Sequence, residues 1–191
     1  MKKIFNFINE SRKKILREKI YWEIKKINPQ KILDNGSGAR GSFDYKEFKD
    51  KITKADIIYN INCENLPYKK ENFDCVIFAG VIQYVANAKR AMKECARVLK
   101  KGGHLIISTI SKNSIVKKIT GFKDEKRSYT MKEFVNLLEE NKFSILKKRY
   151  IDFWFIPKKY KMILYCVCKK NGSMINVLRN IDAGLMRRGF T

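Results

Sequence analysis

The stretch Lys31–Gly41, K-I-L-D-N-G-S-G-A-R-G, limits the fold more than any other part of this chain. Ile32 and Leu33 close a short apolar run that reads as a buried strand. Gly36, Gly38 and Gly41 then crowd a sharp turn. Ser42 is placed to cap a short helix over Ser42–Asp50 that carries Phe43 and Phe48. A strand, a glycine turn and a helix start make a cradle for a ligand. Glycines let the backbone approach closely, and unpaired N–H groups point outward.

Two cradles fit these residues. Gly36, Gly38 and Gly41 satisfy the dinucleotide fingerprint G-x-G-x-x-G, and Asp56 lies at about the required 20 residues further on. The D-x-G formed by Asp34 and Gly36, continued by Gly38, suits a ligand with a charged amino-acid end instead. The plain alternative is a tight strand-to-helix turn. The downstream residues decide among these.

The order of signals indicates alternating strands and helices. Met1–Ile27 reads as a helix: Ile4, Phe5, Ile8, Ile15, Ile20, Ile24 and Ile27 approximate a 3.6-residue stripe, and Pro29 ends it. It serves as a packed cap with mobile first turns, or as a lid over the ligand. Ile57–Ile61 and Phe73–Ala79 read as strands, the second buried on both faces. Asn87 caps a helix through Leu99 that Gly102 and Gly103 stop, and Leu105–Ser108 is a further strand. Ser111–Arg127 is a polar, lysine-rich connection. Thr130 and Glu133 form a capping box, and Phe143–Tyr150 and Tyr160–Cys168 close the chain as a hairpin. This is a doubly wound α/β sheet, expected as one domain: a cap over 1–27, a core over 28–170 and a tail over 171–191 with an amphipathic stretch at Met174–Met186.

Composition narrows the classes. At 191 residues and 45% apolar content the chain can bury a core. No apolar run approaches the roughly 20 residues a membrane span requires. The Lys2–Lys3 start with Ile4–Ile8 is too short for a signal peptide, so the expected location is cytoplasmic. Five cysteines with no CxxC pair and a single histidine argue against a metal site. The net charge of +23 admits a polyanionic partner such as RNA, or an anionic membrane surface. A lysine-rich background accounts for it more simply, because the lysines are spread along the whole chain.

From Lys31 to about Phe143 the chain resembles the class I S-adenosylmethionine (SAM)-dependent methyltransferases, in particular their small-substrate, "type 11"-like branch. The resemblance rests on I-L-D-N-G-S-G at 32–38, E-N-L-P-Y at 64–68, N-F-D-C-V-I-F at 72–78, V-I-Q-Y-V at 81–85, R-V-L-K-K-G-G at 97–103 and Y-T-M-K-E-F-V-N-L-L-E-E-N-K-F at 129–143. It implies a Rossmann-like, mostly parallel sheet with a C-terminal antiparallel hairpin, and SAM as cofactor. Asp34, Gly36 and Gly38 would hold the methionine end, Asn62 and Cys63 the adenine, and Ala79 and Gly80 the methyl-donor side. For Asn62 the plain alternative is an ordinary turn asparagine.

Two departures stand out. Arg40 replaces the family's third glycine, and the region between the glycine turn and L-P-Y is too short for the two strands and helix found there in the family. The acid that grips the ribose is therefore left open among Asp56, Asn60 and Glu64. Tyr84, and secondly Tyr129, are the candidates to orient or deprotonate the acceptor; His104 falls at the strand end away from the crevice and reads as structural. The aromatic run Phe153, Trp154, Phe155, beside Lys158 and Lys159, would border the acceptor. That acceptor is expected to be a small molecule or a carrier-bound glycan or lipid intermediate. RNA, and a non-catalytic SAM-binding subunit, are the alternatives.

Overall fold

The computed structural model describes residues 2–38, 41–43, 46–114, 126–152, 156–157 and 161–171, with the side chains of 2–9 left aside. In chain order its elements are α1 (Lys2–Ile27), β1 (Ile32–Asn35), β2 (Ile52–Ala55), β3 (Phe73–Ala79), α2 (Ala88–Val98), β4 (Leu99–Ile110), α3 (Met131–Glu140), β5 (Phe143–Ile151) and β6 (Ile163–Lys170). The strands form one sheet in the order β2-β1-β3-β4-β6-β5. The first four are parallel, and β6 runs antiparallel to both β4 and β5. The expected doubly wound sheet with a terminal hairpin is the observed one.

Period-two alternation builds a core on each face. In β3, Val76 and Phe78 pack with Met92 and Cys95 of α2 and Phe134 and Leu138 of α3. Cys75 and Ile77 point the other way, against Ile20 and Ile24 of α1 and against Phe43 and Phe48. Ile20 and Ile24 are fully buried, each contributing about 1.5–3 kcal/mol of apolar burial. The caps read from the sequence are present. Asn87 Oδ1 accepts from Arg90 N–H at 3.0 Å, and Thr130 and Glu133 exchange both bonds of a capping box.

Several elements differ from expectation, each for a local reason. Ile57–Ile61 is not a strand. The second strand is Ile52–Ala55, and Ile57–Tyr59 is a 3₁₀ turn begun by Asp56, whose Oδ1 accepts from Ile58 N–H at 3.1 Å. A side-chain cap outcompetes β-propensity where no neighbouring strand offers a ladder. Ser42–Asp50 is likewise not one helix: a 3₁₀ turn spans Lys46–Lys51, and Ser42 directs its donors to Asp34. Gly102 and Gly103 do not stop α2. The helix ends at Val98 and runs directly into β4, because Leu99 already pairs with Phe73; Gly102, at φ +73°, sits inside the strand. The hairpin strands are shifted to Phe143–Ile151 and Ile163–Lys170. Phe153–Phe155, Lys158, Lys159, Arg40 and the stretch Met174–Met186 lie outside the described residues. Among the described residues no helix is long and apolar enough to cross a membrane.

Candidate functional site

The strand order reverses between β1 and β3, so the carboxyl ends of these strands open a crevice, the usual ligand position in such sheets. Asp34, fully buried on β1, organises its floor. Its Oδ1 accepts from Ser42 Oγ–H at 2.6 Å and its Oδ2 from Ser42 N–H at 3.0 Å. These bonds pin the chain as it returns from the turn. Burial pushes the Asp34 carboxyl up to about 6, with the Ser42 donors and the Lys54 charge acting against the rise.

The glycines are there for geometry. Gly36 has φ +85°, and a Cβ on it would lie 2.1 Å from Val81 Cγ2, so the turn and the β3–α2 loop close on each other only without a side chain. Gly38, at φ +58°, has no atom of the described residues within 4 Å of the corresponding position. One glycine is closed by the protein; the other faces open space.

Beside the turn lies a cavity of about 340 Å³. Gly36, Ser37, Ala79, Gly80 and Ser108 form its floor, Tyr84 and Met162–Ile163 its sides, and Arg12, Lys13, Leu16 and Arg17 of α1 its roof. The roof is fastened by a buried ion pair, Arg12 Nε to Asp152 Oδ1 at 2.6 Å; Asp152 Oδ2 also accepts from Met162 N–H at 2.8 Å. Gln83, 3% exposed, ties the far wall together: its Nε2 donates to Gly80 O at 2.8 Å and its Oε1 accepts from Thr109 O–H at 3.2 Å. Two hydroxyls in the lining, Ser37 Oγ and Ser108 Oγ, are buried with no hydrogen-bond partner among the described residues. Buried hydroxyls normally find a partner, so these two, with the open face of Gly38, fit a polar ligand seated over the turn.

On the other side of the glycines, Asp56 comes directly after β2. Its Oδ2 accepts from Gly38 N–H at 2.8 Å, which sets a carboxylate at the edge of the turn. Asn60 holds a left-handed φ of 57° and closes the 3₁₀ turn. Glu64 faces away, its Oε1 accepting from Ala86 and Asn87 N–H at 2.8 and 3.0 Å. Exposed Asn62 caps Glu64 N–H at 2.8 Å. Cys63 is half-buried against the first core, its thiol pushed up to about 11 by burial and the nearby Glu64 charge.

Of the residues singled out from the sequence, Gly36, Ala79, Gly80 and Tyr84 converge on the cavity. Asp34 supports it from below, and Gly38 and Asp56 adjoin it through their mutual bond. Asn60, Asn62, Cys63 and Glu64 line the loop beyond. Tyr84 is 39% exposed. Tyr129 is not in the cavity lining: its ring packs on Phe134 at 5.9 Å, its N–H reaches Ile110 O, and burial raises its phenol. His104 pairs with Cys75 and Lys169 within the sheet, away from the crevice, its pKa lowered by burial and by the Lys169 charge. Ser37, Gln83, Ser108, Arg12 and Arg17 also belong to the site, and sequence reasoning does not single them out. Gln83, an amide inside V-I-Q-Y-V, and Ser108, the hydroxyl ending L-I-I-S, are the available signals.

The fold and crevice define a Rossmann-like α/β domain with its ligand site at the β1/β3 switch point. Residues 42–107 match the family described as "Methyltransferase domain", in line with the resemblance to class I SAM-dependent methyltransferases that the sequence motifs carry. Two proteins of Methanocaldococcus jannaschii, the uncharacterized MJ1123 and MJ0638, are 32% identical over 106 residues and 29% identical over 181 residues. The alignments cover 52% and 85% of this chain, and 52% and 75% of those proteins. The ubiquinone/menaquinone biosynthesis C-methyltransferase UbiE of Haemophilus ducreyi is 35% identical over 69 residues, 34% of this chain and 27% of that one. The chain thus spans about half the length of MJ1123 and about a quarter of UbiE. Among solved structures, the 1,6-didemethyltoxoflavin-N1-methyltransferase of Burkholderia thailandensis, with 1,6-didemethyltoxoflavin and S-adenosylhomocysteine bound, superposes with a TM-score of 0.60 at 15% identity, over 85% of this chain and 77% of that one. That likeness concerns the fold.

Proposed function

We propose that this protein transfers the methyl group of SAM to a small-molecule acceptor, free or carrier-bound, held under α1. The observation that carries the reading is the roofed cavity. Helix α1 closes over Gly36, Ala79 and Gly80 and leaves about 340 Å³, a space suited to a small acceptor beside the methionine end rather than to a nucleic-acid duplex. A small-molecule acceptor also agrees with the printed names: one similar protein is a ubiquinone/menaquinone biosynthesis C-methyltransferase, and one solved structure of like fold holds 1,6-didemethyltoxoflavin beside S-adenosylhomocysteine.

Bound SAM supplies a methyl already activated by its sulfonium: the S–CH₃ bond breaks, a bond to the acceptor forms, and sulfur keeps the electron pair in S-adenosylhomocysteine. The chain's own residues align the partners, which in favourable model systems supplies up to about 7–11 kcal/mol. Gly36, Ser37 and Gly38 hold the methionine end, with Asp34 fixing the turn beneath them. Asp56 takes the ribose hydroxyls, and Asn62 and Cys63 flank the adenine. Ala79 and Gly80 leave the methyl path clear, helped by the Ser108 hydroxyl. Tyr84 orients the acceptor through its phenol hydroxyl. The packing of Tyr129 supports a role in holding the end of β4.

Calorimetric titration with SAM, S-adenosylhomocysteine and NAD tests the cofactor: heat with the first two and none with NAD is expected, and heat with NAD alone overturns the proposal. Radiolabelled SAM is then fed to a host extract at moderate salt, and nucleic-acid, protein, lipid and small-molecule fractions are separated. Label in the small-molecule or lipid fraction that is lost in Tyr84→Phe is expected. Label in RNA that survives the salt transfers the assignment to RNA, because nonspecific contacts of so basic a chain weaken steeply with salt.

A further inference from the structure

Helix α1 brings three cations to the cavity, and two of them have partners. Arg12 is paired with Asp152 at 2.6 Å, and Lys13 Nζ lies 2.8 Å from Glu10 Oε1. Arg17, part-buried one turn beyond Lys13, also lines the cavity, and no carboxylate pairs with it among the described residues. No Asp or Glu lines the cavity among the described residues; the rest of the wall is glycine, aliphatic or neutral polar. A part-buried guanidinium without a counter-charge is unfavourable unless a ligand supplies one. SAM does not balance the site, since its ammonium, sulfonium and carboxylate sum to one positive charge.

We infer that the acceptor carries an oxyanion, a carboxylate or a phosphate, and that Arg17 is the residue that reads it. The planar fork of the guanidinium suits either group. Arg17 of α1 lines the same cavity as Ala79 and Gly80, so an acceptor anchored on its guanidinium has its other end free for the methyl. The inference rests on the methyltransferase reading and adds the charge of the substrate to it. It also makes α1 part of the specificity apparatus, beyond its packing role.

The full chain is tested with radiolabelled SAM and the small-molecule fraction of a host extract, the products being separated on an anion exchanger before and after phosphatase treatment. Labelled product is expected to be retained; phosphatase releases it if the anion is a phosphate and leaves it bound if it is a carboxylate. In Arg17→Gln the acceptor concentration for half-maximal labelling is expected to rise about 10–100-fold, the usual worth of a hydrogen bond to a charged group, with partial rescue in Arg17→Lys. S-adenosylhomocysteine and 5′-methylthioadenosine, which lacks the amino-acid end, are titrated in parallel. Retained affinity for both in Arg17→Gln assigns the residue to the acceptor. Loss for S-adenosylhomocysteine alone assigns it to the cofactor carboxylate and overturns the inference, as does labelled product that flows through the column or an Arg17→Gln enzyme with unchanged acceptor dependence. A wild-type chain that does not bind S-adenosylhomocysteine sinks the methyltransferase reading itself, and one that binds it yet labels nothing sinks the catalytic reading and this inference together.

Discussion

The two flanks of the glycine turn are built differently. On the cavity side, Asp34, Ser37, Gln83 and Ser108 are buried, the Arg12–Asp152 pair fastens the roof, and Val81 fills the space above Gly36. On the Asp56 side, Ile57 is 73% exposed and Ile58 56%, and the loop to Glu64 is held by side-chain caps on backbone N–H groups. The difference comes from the sheet. Strands β1, β3 and β4 have neighbours on both edges, whereas β2 is a four-residue edge strand with no described strand beyond it. A crevice between interior strands is shaped before a ligand arrives; one at a sheet edge gains cover from the ligand. Preorganisation of this kind lowers the ordering cost on binding, so the cavity flank should govern stability and the edge flank affinity.

The contrast is broken most severely at Arg12. Arg12→Met takes the guanidinium away from the buried Asp152 carboxylate and is expected to cost about 3–5 kcal/mol in urea unfolding. Adding Asp152→Asn should recover part of that loss, because the amide oxygen still accepts from Met162 N–H. Equal losses in the single and double variants would show that the pair contributes only packing. Gly36→Ala comes next, at about 2–4 kcal/mol, from a left-handed φ and a clash with Val81; Val81→Ala in the same chain should relieve the clash and leave the φ cost. Gly38→Ala is the control across the turn. Its φ is also positive, but the added methyl meets nothing, so about 1 kcal/mol is expected, with the larger effect on S-adenosylhomocysteine binding.

Asp34 makes the cavity flank sensitive to pH. Its carboxyl is raised to about 6 in the fold, against about 3.9 in an unfolded chain. The unfolded state therefore releases this proton first as pH rises. The contribution is most favourable below about pH 4 and is lost through pH 6, a destabilisation of about 2–3 kcal/mol in all. Asp34→Asn should flatten that segment of the stability–pH profile while an amide remains to bond Ser42. An unchanged slope would place the titration elsewhere.

How much of this was legible depended on the reach of each signal. Phe73–Ala79 and the Thr130–Glu133 box declare themselves locally, by an unbroken apolar run and by a spacing of three. The doubly wound sheet with its terminal hairpin and the glycine cradle emerge from such pieces in sequence. Strand β2 was missed because I-T-K-A holds two polar residues while I-I-Y-N-I looks more β-prone, and propensity carries no knowledge of which segment finds a partner. Asp56 stays one of three options in the sequence for the same reason: only the fold shows that β2 ends directly before it. The Arg12–Asp152 pair joins residues 140 positions apart, and no local pattern announces such a contact. Arg17 reads in the sequence as one more cation of a basic helix, because its distinction is that no carboxylate pairs with it among the described residues.

The smallest effect on stability is expected at Asp56, where the two flanks meet. Its carboxylate bonds Gly38 N–H and Ile58 N–H at once, and Asp56→Asn keeps one acceptor, so the fold should lose no more than about 1 kcal/mol. Binding should suffer more, because an amide accepts a hydroxyl hydrogen bond less strongly than a carboxylate does. A loss on the order of 10-fold in S-adenosylhomocysteine affinity is expected by calorimetry. The same loss should appear with 5′-methylthioadenosine, which keeps the ribose and lacks the amino-acid end. If only S-adenosylhomocysteine weakens, Asp56 acts through Gly38 on the methionine end and belongs to the cavity flank. If neither weakens, the ribose is held by another group of the edge loop, and Asn60, already at the turn in a left-handed conformation, is the next residue to replace.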